Sequence, residues 1–237
     1  GRLESSTEFK VDVVGLALDS SGSMEGILEM VISEGIGVLT TMNPEEVVFT
    51  EFSNTFTCET MNIDDSKHSL FGASKLAADI YCQEYSKYFN LKIGVFRGSC
   101  LTGPLHKGAE LHGFLSYLVK ASMKNKKYYI FGHKGKQVRD NIHSEDVANA
   151  LWHFYKTKNN SGVYNIGGGR LNSCSILEVI DLLKNKYDII TKYKILKKSR
   201  EGDHIWYISD NSKFKNLHKN WKIKKSLKNI ISEIIEN

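Results

Sequence analysis

No stretch of these 237 residues is apolar for long enough to cross a bilayer, since a spanning helix needs about 20 such residues. No basic-then-apolar leader precedes the first regular segment, so no signal peptide is expected, and the start at Gly1 reads as that of a fragment or processed chain. Cysteine is sparse. Cys58, Cys82, Cys100 and Cys174 are too scattered for a paired metal site or a disulfide framework, which points to a reduced, cytoplasmic setting. No nucleic-acid motif occurs and no exposed aromatic pattern interleaves with the lysines, so neither nucleic acid nor membrane is expected as a partner. Internal repeats and low-complexity linkers are absent as well.

What is present is ordinary globular composition, 41% hydrophobic and 25% charged. The net charge of +5 conceals an asymmetry: residues 1–70 carry 3 basic and 13 acidic side chains, whereas residues 71–237 carry 29 basic and 14 acidic. Lysine concentrates in 192–198 and 213–228. Such clusters serve as a solvated face, or they attract an anionic ligand such as a nucleotide diphosphate.

Apolar and β-branched runs predict strands over 9–18, 47–52, 91–96, 128–131, 163–166 and 189–196. Helical spacing predicts helices over 27–39, 71–89, 111–123, 145–155 and 230–235, and Ser175-x-x-Glu178 is a capping box opening another over 176–186. Strands alternating with helices of this length indicate an α/β domain with a mostly parallel sheet.

The chemistry concentrates in a few segments. Phe71-Gly72-Ala73-Ser74-Lys75 places Phe71 and Lys75 one helical turn apart on a shared face. Alone, that pair reads as one buried ring and one surface lysine. Phe96-Arg97-Gly98-Ser99-Cys100-Leu101-Thr102-Gly103-Pro104 is a strand running into a turn, with Cys100 either a small buried hydrophobe or a thiol in need of a cationic neighbour. Gly135-Lys136-Gln137-Val138-Arg139-Asp140 and Arg200-Glu201-Gly202-Asp203 each offer a guanidinium, the group that grips phosphate oxygens two at a time. Each arginine alone also fits a surface salt bridge. His143-Ser144-Glu145-Asp146 reads as a helix start rather than a metal site, with Asp146 structural. Tyr164-Asn165-Ile166-Gly167-Gly168-Gly169 is not a phosphate-binding P-loop, because no Gly-Lys-Ser/Thr follows.

In this order and spacing the segments resemble the extended short-chain dehydrogenase/reductase family, within its NAD-dependent epimerase/dehydratase group and near the members that act on CDP-hexoses. The resemblance covers residues 60–237. It implies NAD-dependent oxidation and reduction of a CDP- or other NDP-hexose at one carbon, with Lys75 reaching the nicotinamide ribose. Arg139 and Arg200 would hold the diphosphate, and Cys100 would lie beside the sugar. It also assigns the strand at 163–166 to the substrate domain, and leaves a homo-oligomer open. Two departures stand against activity. Phe71 occupies the place of the tyrosine that takes a proton from the sugar, leaving Ser74, Cys100 or a water to share that work. In addition, no Gly-x-x-Gly-x-x-Gly turn for the NAD pyrophosphate occurs in residues 1–60.

The expected architecture is therefore an incomplete Rossmann-like, doubly wound parallel sheet plus a small C-terminal α/β substrate domain. Residues 1–58 form an atypical leader and 59–237 the epimerase-like part. The leader has its own resemblance, to the start of a von Willebrand factor A domain. There Asp19, Ser21 and Ser23 match a divalent-cation motif of hard oxygen ligands, and a polar turn after a strand is the plainer alternative. A catalytically impaired scaffold that binds a nucleotide sugar or a partner, and a cation-dependent adhesion module, are the two competing functions.

Overall fold

The computed structural model describes residues 13–19, 46–52, 70–110, 112–158, 161–200 and 203–237. For 13–19, 46–52, 70 and 71 it describes the backbone path only. The helix expected over 27–39 and the cation positions Ser21 and Ser23 lie outside the described residues, as does the side chain of Asp19.

Four parallel strands form the larger sheet, in the order β1 (Val13–Asp19), β2 (Glu46–Phe52), β3 (Lys92–Gly98) and β7 (Gly162–Ile166). The strands of the acidic leader thus join the same sheet as the segments that follow. Strand β7 pairs with β3 here, which corrects its expected place in the substrate domain. The reason is its apolar alternation: Tyr164 and Ile166 fill the same core as Phe96. Strand β3 is buried on both faces, as a central parallel strand must be. Ile93 and Val95 pack under helix α1 (Leu70–Phe89), with Cys82 and Tyr85 from that helix. Phe96, on the other face, packs edge-on against Phe154 of helix α3 (Ser144–Lys156) at 5.4 Å between centroids. Gly94 is required there, because a Cβ would sit 2.8 Å from the Phe154 ring.

The remaining strands are short. Strand β6 (Val138–His143) pairs in parallel with β4 (Cys100–Thr102) and with β10 (Trp206–Tyr207), and antiparallel with β8 (Ser173–Ser175). Strands β5 (Tyr128–Phe131) and β9 (Tyr193–Leu196) form a separate parallel pair. Around these strands lie α2 (Phe114–Met123), α4 (Ile176–Tyr187), α5 (Ser212–Leu217) and α6 (Leu227–Glu236). A second core joins α2, β5, α4 and α6 through Leu118, Ile130, Val179, Leu183 and Ile231. The smaller unit therefore draws on residues near 114–130 as well as on the C-terminal third. Among the described residues no helix is long and apolar enough to cross a membrane.

Helix ends follow their caps. The Ser175–Glu178 box opens α4 and a Ser226–Asn229 box opens α6. Helix α2 begins three residues later than the hydrophobic spacing predicts, because Gly113 at its start holds φ at 69°, a left-handed turn that a non-glycine residue adopts at a cost. His143 caps α3, its Nδ1 accepting from Glu145 N, so the ring proton lies on Nε2, 2.9 Å from Glu233 Oε2. Asp146 is structural, as expected. Its carboxylate accepts from the backbone N–H groups of Lys224 and Lys225 at 2.9 and 3.0 Å, and its carbonyl accepts from the Trp221 indole.

Replacing Asp146 with alanine strips those two N–H groups of their acceptor and is expected to destabilise the fold by about 1–3 kcal/mol. Urea denaturation followed by tryptophan fluorescence measures it. A change under about 0.5 kcal/mol, the scatter of neutral surface substitutions, contradicts the clasp.

Candidate active site

A cleft opens beside the second core, whose Tyr128 and Ile176 line it. Its floor is β6, whose residues alternate between faces. Gln137 and Arg139 line the cleft, whereas Asp140 points away from it and accepts from Gly169 N and Ser209 N at 2.8 and 3.2 Å. Burial holds the Asp140 carboxyl above the usual range, against those two hydrogen bonds. The walls are aromatic and come from α2 and β5: Phe114, Tyr128, Tyr129 and Phe131.

Arg139 and Arg200 meet at one carboxylate. Arg139 Nη2 donates to Asp203 Oδ1 at 2.9 Å and Arg200 Nη2 to the same oxygen at 3.2 Å. Arg139 Nη1 is pinned to the carbonyl of Val138 at 2.8 Å. The pairing of Trp206 and Tyr207 with Val138 and Arg139 brings the second arginine segment alongside the first. Asp203 is almost wholly buried, whereas the Arg200 side chain keeps 39% of its surface in solvent. One guanidinium is therefore fixed, and the other has room to swing toward a ligand. The salt-bridge reading and the phosphate reading of these arginines are not exclusive: the bridge is what gathers them.

Cys100 lies at the far end of the same cleft, beside Asn141 in the β4–β6 pairing. It has the cationic neighbours a thiolate needs, since Arg139 and Arg200 both pull its pKa down. Burial outweighs them, and with Asp140 nearby the thiol is pushed up to about 12. Cys100 is a neutral donor at physiological pH, not a base. Thr102, Ser116 and His106 form a hydrogen-bonded line just beyond it, at 2.9 and 3.2 Å.

The α1 side chains that the structure describes stand apart from this cleft: none of them lines it. Lys75 is buried, with 1% exposure, which overturns the plain reading of a surface lysine. Ser74 is half-buried, and the Phe71 side chain lies outside the described residues. One turn after Lys75, Asp79 accepts from Arg97 Nε at 2.6 Å and from Gln83 Nε2 at 2.5 Å, tying α1 to the end of β3. The spacing Lys75–Asp79 was visible in the sequence, but its partner 18 residues on was not. Asp203, Gln137 and the aromatic walls were also passed over as site residues. The short aromatic run at 128–131 was their one available signal. Among the described residues no cluster of His, Cys, Asp and Glu is arranged to hold a metal ion.

Comparison with known proteins gives this geometry a context. A family model described as NAD dependent epimerase/dehydratase family matches residues 46–167. CDP-paratose 2-epimerase of Salmonella typhi is 31% identical over 207 residues, covering 81% of this chain and 60% of that protein. The chain thus spans about three fifths of that relative's length. UDP-glucose 4-epimerase of Thermus thermophilus, in complex with NAD, superposes with a TM-score of 0.76 at 20% identity, over 97% of this chain and 78% of its own. A mutant of UDP-glucuronic acid 4-epimerase from Bacillus cereus, with phenylalanine in place of a tyrosine, was solved with UDP-4-deoxy-4-fluoro-glucuronic acid and NAD. It superposes with a TM-score of 0.70 at 23% identity, over 87% of this chain and 65% of its own. These structural likenesses establish the α/β, Rossmann-like fold. No comparison carries the leader's likeness to a von Willebrand factor A domain.

Because its thiol is protonated and enclosed, Cys100 is expected to resist iodoacetamide at pH 8 in the folded protein and to react once the protein is unfolded. Peptide mass mapping of the labelled cysteines reads this. Rapid modification of native Cys100 would show that the arginines, and not burial, control the thiol.

Proposed function

Since the chain belongs to the NAD dependent epimerase/dehydratase family, we infer that its cleft binds a nucleotide sugar and that the protein is of the nucleotide-sugar epimerase type. The observation that carries this reading is the convergence of Arg139 and Arg200, far apart in the chain, on one point of an aromatic-walled cleft. A diphosphate offers several anionic oxygens in the space of one carboxylate, and guanidinium groups bind such oxygens in pairs. Arg139 holds its place through Val138 and Asp203, while the half-exposed Arg200 can exchange Asp203 for the ligand. The aromatic rings then shelter a base or sugar from water.

NAD is the cofactor this family implies. The resemblance gives its nicotinamide ribose to Lys75, which is buried on α1, one turn from Phe71. Its pyrophosphate finds no matching glycine turn in residues 1–60. Bound NAD supplies a place for a sugar hydride and returns it. The chain's own residues position the sugar: Arg139 and Arg200 by the diphosphate, Cys100 as a neutral thiol beside the glycosyl end.

Proton removal is where the chain departs from the family pattern it resembles. Phe71 has no hydroxyl, Ser74 is weak without an activating base, and Cys100 keeps its proton. These three facts favour a second reading, a protein that binds the ligand with little or no turnover. The Bacillus cereus mutant is a precedent of a general kind: a structural neighbour that had lost one phenolic hydroxyl was solved with both a UDP-sugar analogue and NAD.

Isothermal titration with CDP-glucose, UDP-glucose and NAD tests the reading. Binding of neither sugar nucleotide would sink it, and binding of all three ligands without turnover selects the scaffold form. Arg139→Ala is expected to weaken nucleotide-sugar binding by about 1.5–3 kcal/mol, the range for hydrogen bonds to charged groups; unchanged affinity removes Arg139 from the site. Phe71→Tyr is expected to raise turnover only in protein loaded with both NAD and nucleotide sugar. A loaded variant whose rate does not move shows that the missing phenol is not what limits this chain.

A further inference from the structure

Tyr128 is a tyrosine where packing alone asks for phenylalanine. It opens β5, two residues before Ile130, so the two side chains share a face. Both are buried in the second core, Tyr128 with 3% exposure. Its ring leans on that of Tyr117 from α2, with centroids 5.7 Å apart. A phenol hydroxyl taken out of water costs stability unless it finds a hydrogen-bond partner. The Tyr128 hydroxyl makes no hydrogen bond with a described residue. Nor does it belong to the polar atoms that are sealed from solvent without a partner, as Gln137 Oε1 does. The ring is held in the core and the residue lines the cleft, so the hydroxyl is the part that meets the cleft.

Three charged side chains that line the same cleft act on this phenol: Arg200, Asp203 and Glu110. The hydroxyl thus lies in the field of the carboxylate that gathers both arginines. Burial holds its pKa above the usual range for tyrosine, and the pull of Arg200 does not offset that. Like Cys100, it is a neutral donor at physiological pH and not a base. A neutral donor beside two guanidinium groups is matched by an anionic oxygen that those groups also hold. Asp203 does not supply that oxygen. Its Oδ1 already accepts from both arginines, and its Oδ2 is sealed from solvent.

We propose that the Tyr128 hydroxyl is a third donor to the ligand's diphosphate, reaching from the β5 wall to the oxygens that Arg139 and Arg200 hold. It differs from the arginines in kind. It carries no charge for salt to screen, and its ring is locked in the core while Arg200 keeps room to move. It therefore marks one fixed point for the diphosphate from the aromatic side of the cleft. This assignment rests on the nucleotide-sugar reading of the cleft and deepens it by naming a further binding residue.

Calorimetric titration of wild type and Tyr128→Phe with CDP and with UDP tests it, with urea denaturation of both proteins alongside. The substitution removes one oxygen and leaves the ring. Each nucleotide that wild type binds is expected to bind the variant at least about tenfold more weakly, the lower end for a hydrogen bond with one charged partner. The factor is expected to be the same for both nucleotides, since the diphosphate is what they share. Inorganic pyrophosphate is expected to displace them from wild type and to lose the same factor in the variant. The urea midpoint is expected to hold or rise, because no protein group loses a partner. A smaller loss of affinity overturns the assignment while leaving the nucleotide-sugar reading in place. So does a loss accompanied by a lower urea midpoint, which marks a hydroxyl that serves the fold, or a loss confined to one of two nucleotides that bind. Pyrophosphate that fails to compete removes the diphosphate from this point of the cleft, and the assignment with it. Binding of neither nucleotide by wild type overturns the nucleotide-sugar reading itself.

Discussion

The site depends on one unusual strand. Arg139, Asp140, Asn141 and His143 of β6 are all buried, and a polar side chain taken out of water must find partners or forfeit stability. Each partner found is a piece of the site. Arg139 gathers Asp203 and through it Arg200. Asp140 holds the N–H groups of Gly169 and Ser209. Asn141 donates to the carbonyls of Arg139 and Asn172 and to the Cys174 sulfur. His143 starts α3. An apolar strand of the same length would have supplied packing but no reason for the segments at 170–174 and 203–211 to close around it.

The same strand explains why the cleft is electrostatically quiet in spite of the chain's basic C-terminal part. Asp203 offsets one of the two arginine charges that face it and Glu110 also lines the cleft, and most of the lysines of 192–198 and 213–228 stand in solvent, where salt screens them. Removing Asp203 would not simply strengthen an anion site. The buried guanidinium of Arg139 would lose its compensating charge, and breaking such a pair costs more than the intact pair contributes. The carboxylate gathers the two donors at one point, with Arg139 fixed and Arg200 left partly in solvent.

Helices were legible in the sequence because their signals are local. The 3.6-residue spacing, the Ser175–Glu178 box and the Ser226 cap each act within a turn or two, and α1, α3, α4 and α6 lie close to their expected bounds. Strands β4, β8 and β10 were not legible. They are two or three residues long, and they exist only because β6 offers them hydrogen-bonding edges. Strand β6 itself hid behind its polarity: Val138-Arg139-Asp140-Asn141-Ile142-His143 shows no hydrophobic alternation, so it read as a binding segment and not as a strand. The arginines and Cys100 were found through resemblance. Asp203 and Gln137 were not, because what marks them is a partner, or an absent one, that only the folded chain displays.

The two halves of the chemistry, α1 with Lys75 and the cleft with its arginines, share no side-chain contact that defines a single pocket among the described residues. They are nonetheless coupled through the backbone. Arg97 holds Asp79 of α1, and Ser99 donates its N–H to the carbonyl of Ile166 at 3.0 Å, fixing the exit from β3 to the end of β7. Cys100, on the cleft wall, is only three residues beyond Arg97, about 10 Å of extended chain at most. Any displacement of α1 relative to the large sheet therefore pulls on the segment that carries the glycosyl end of the cleft. That linkage ties the helix of Lys75, through the 97–100 segment, to the strand that carries Arg139.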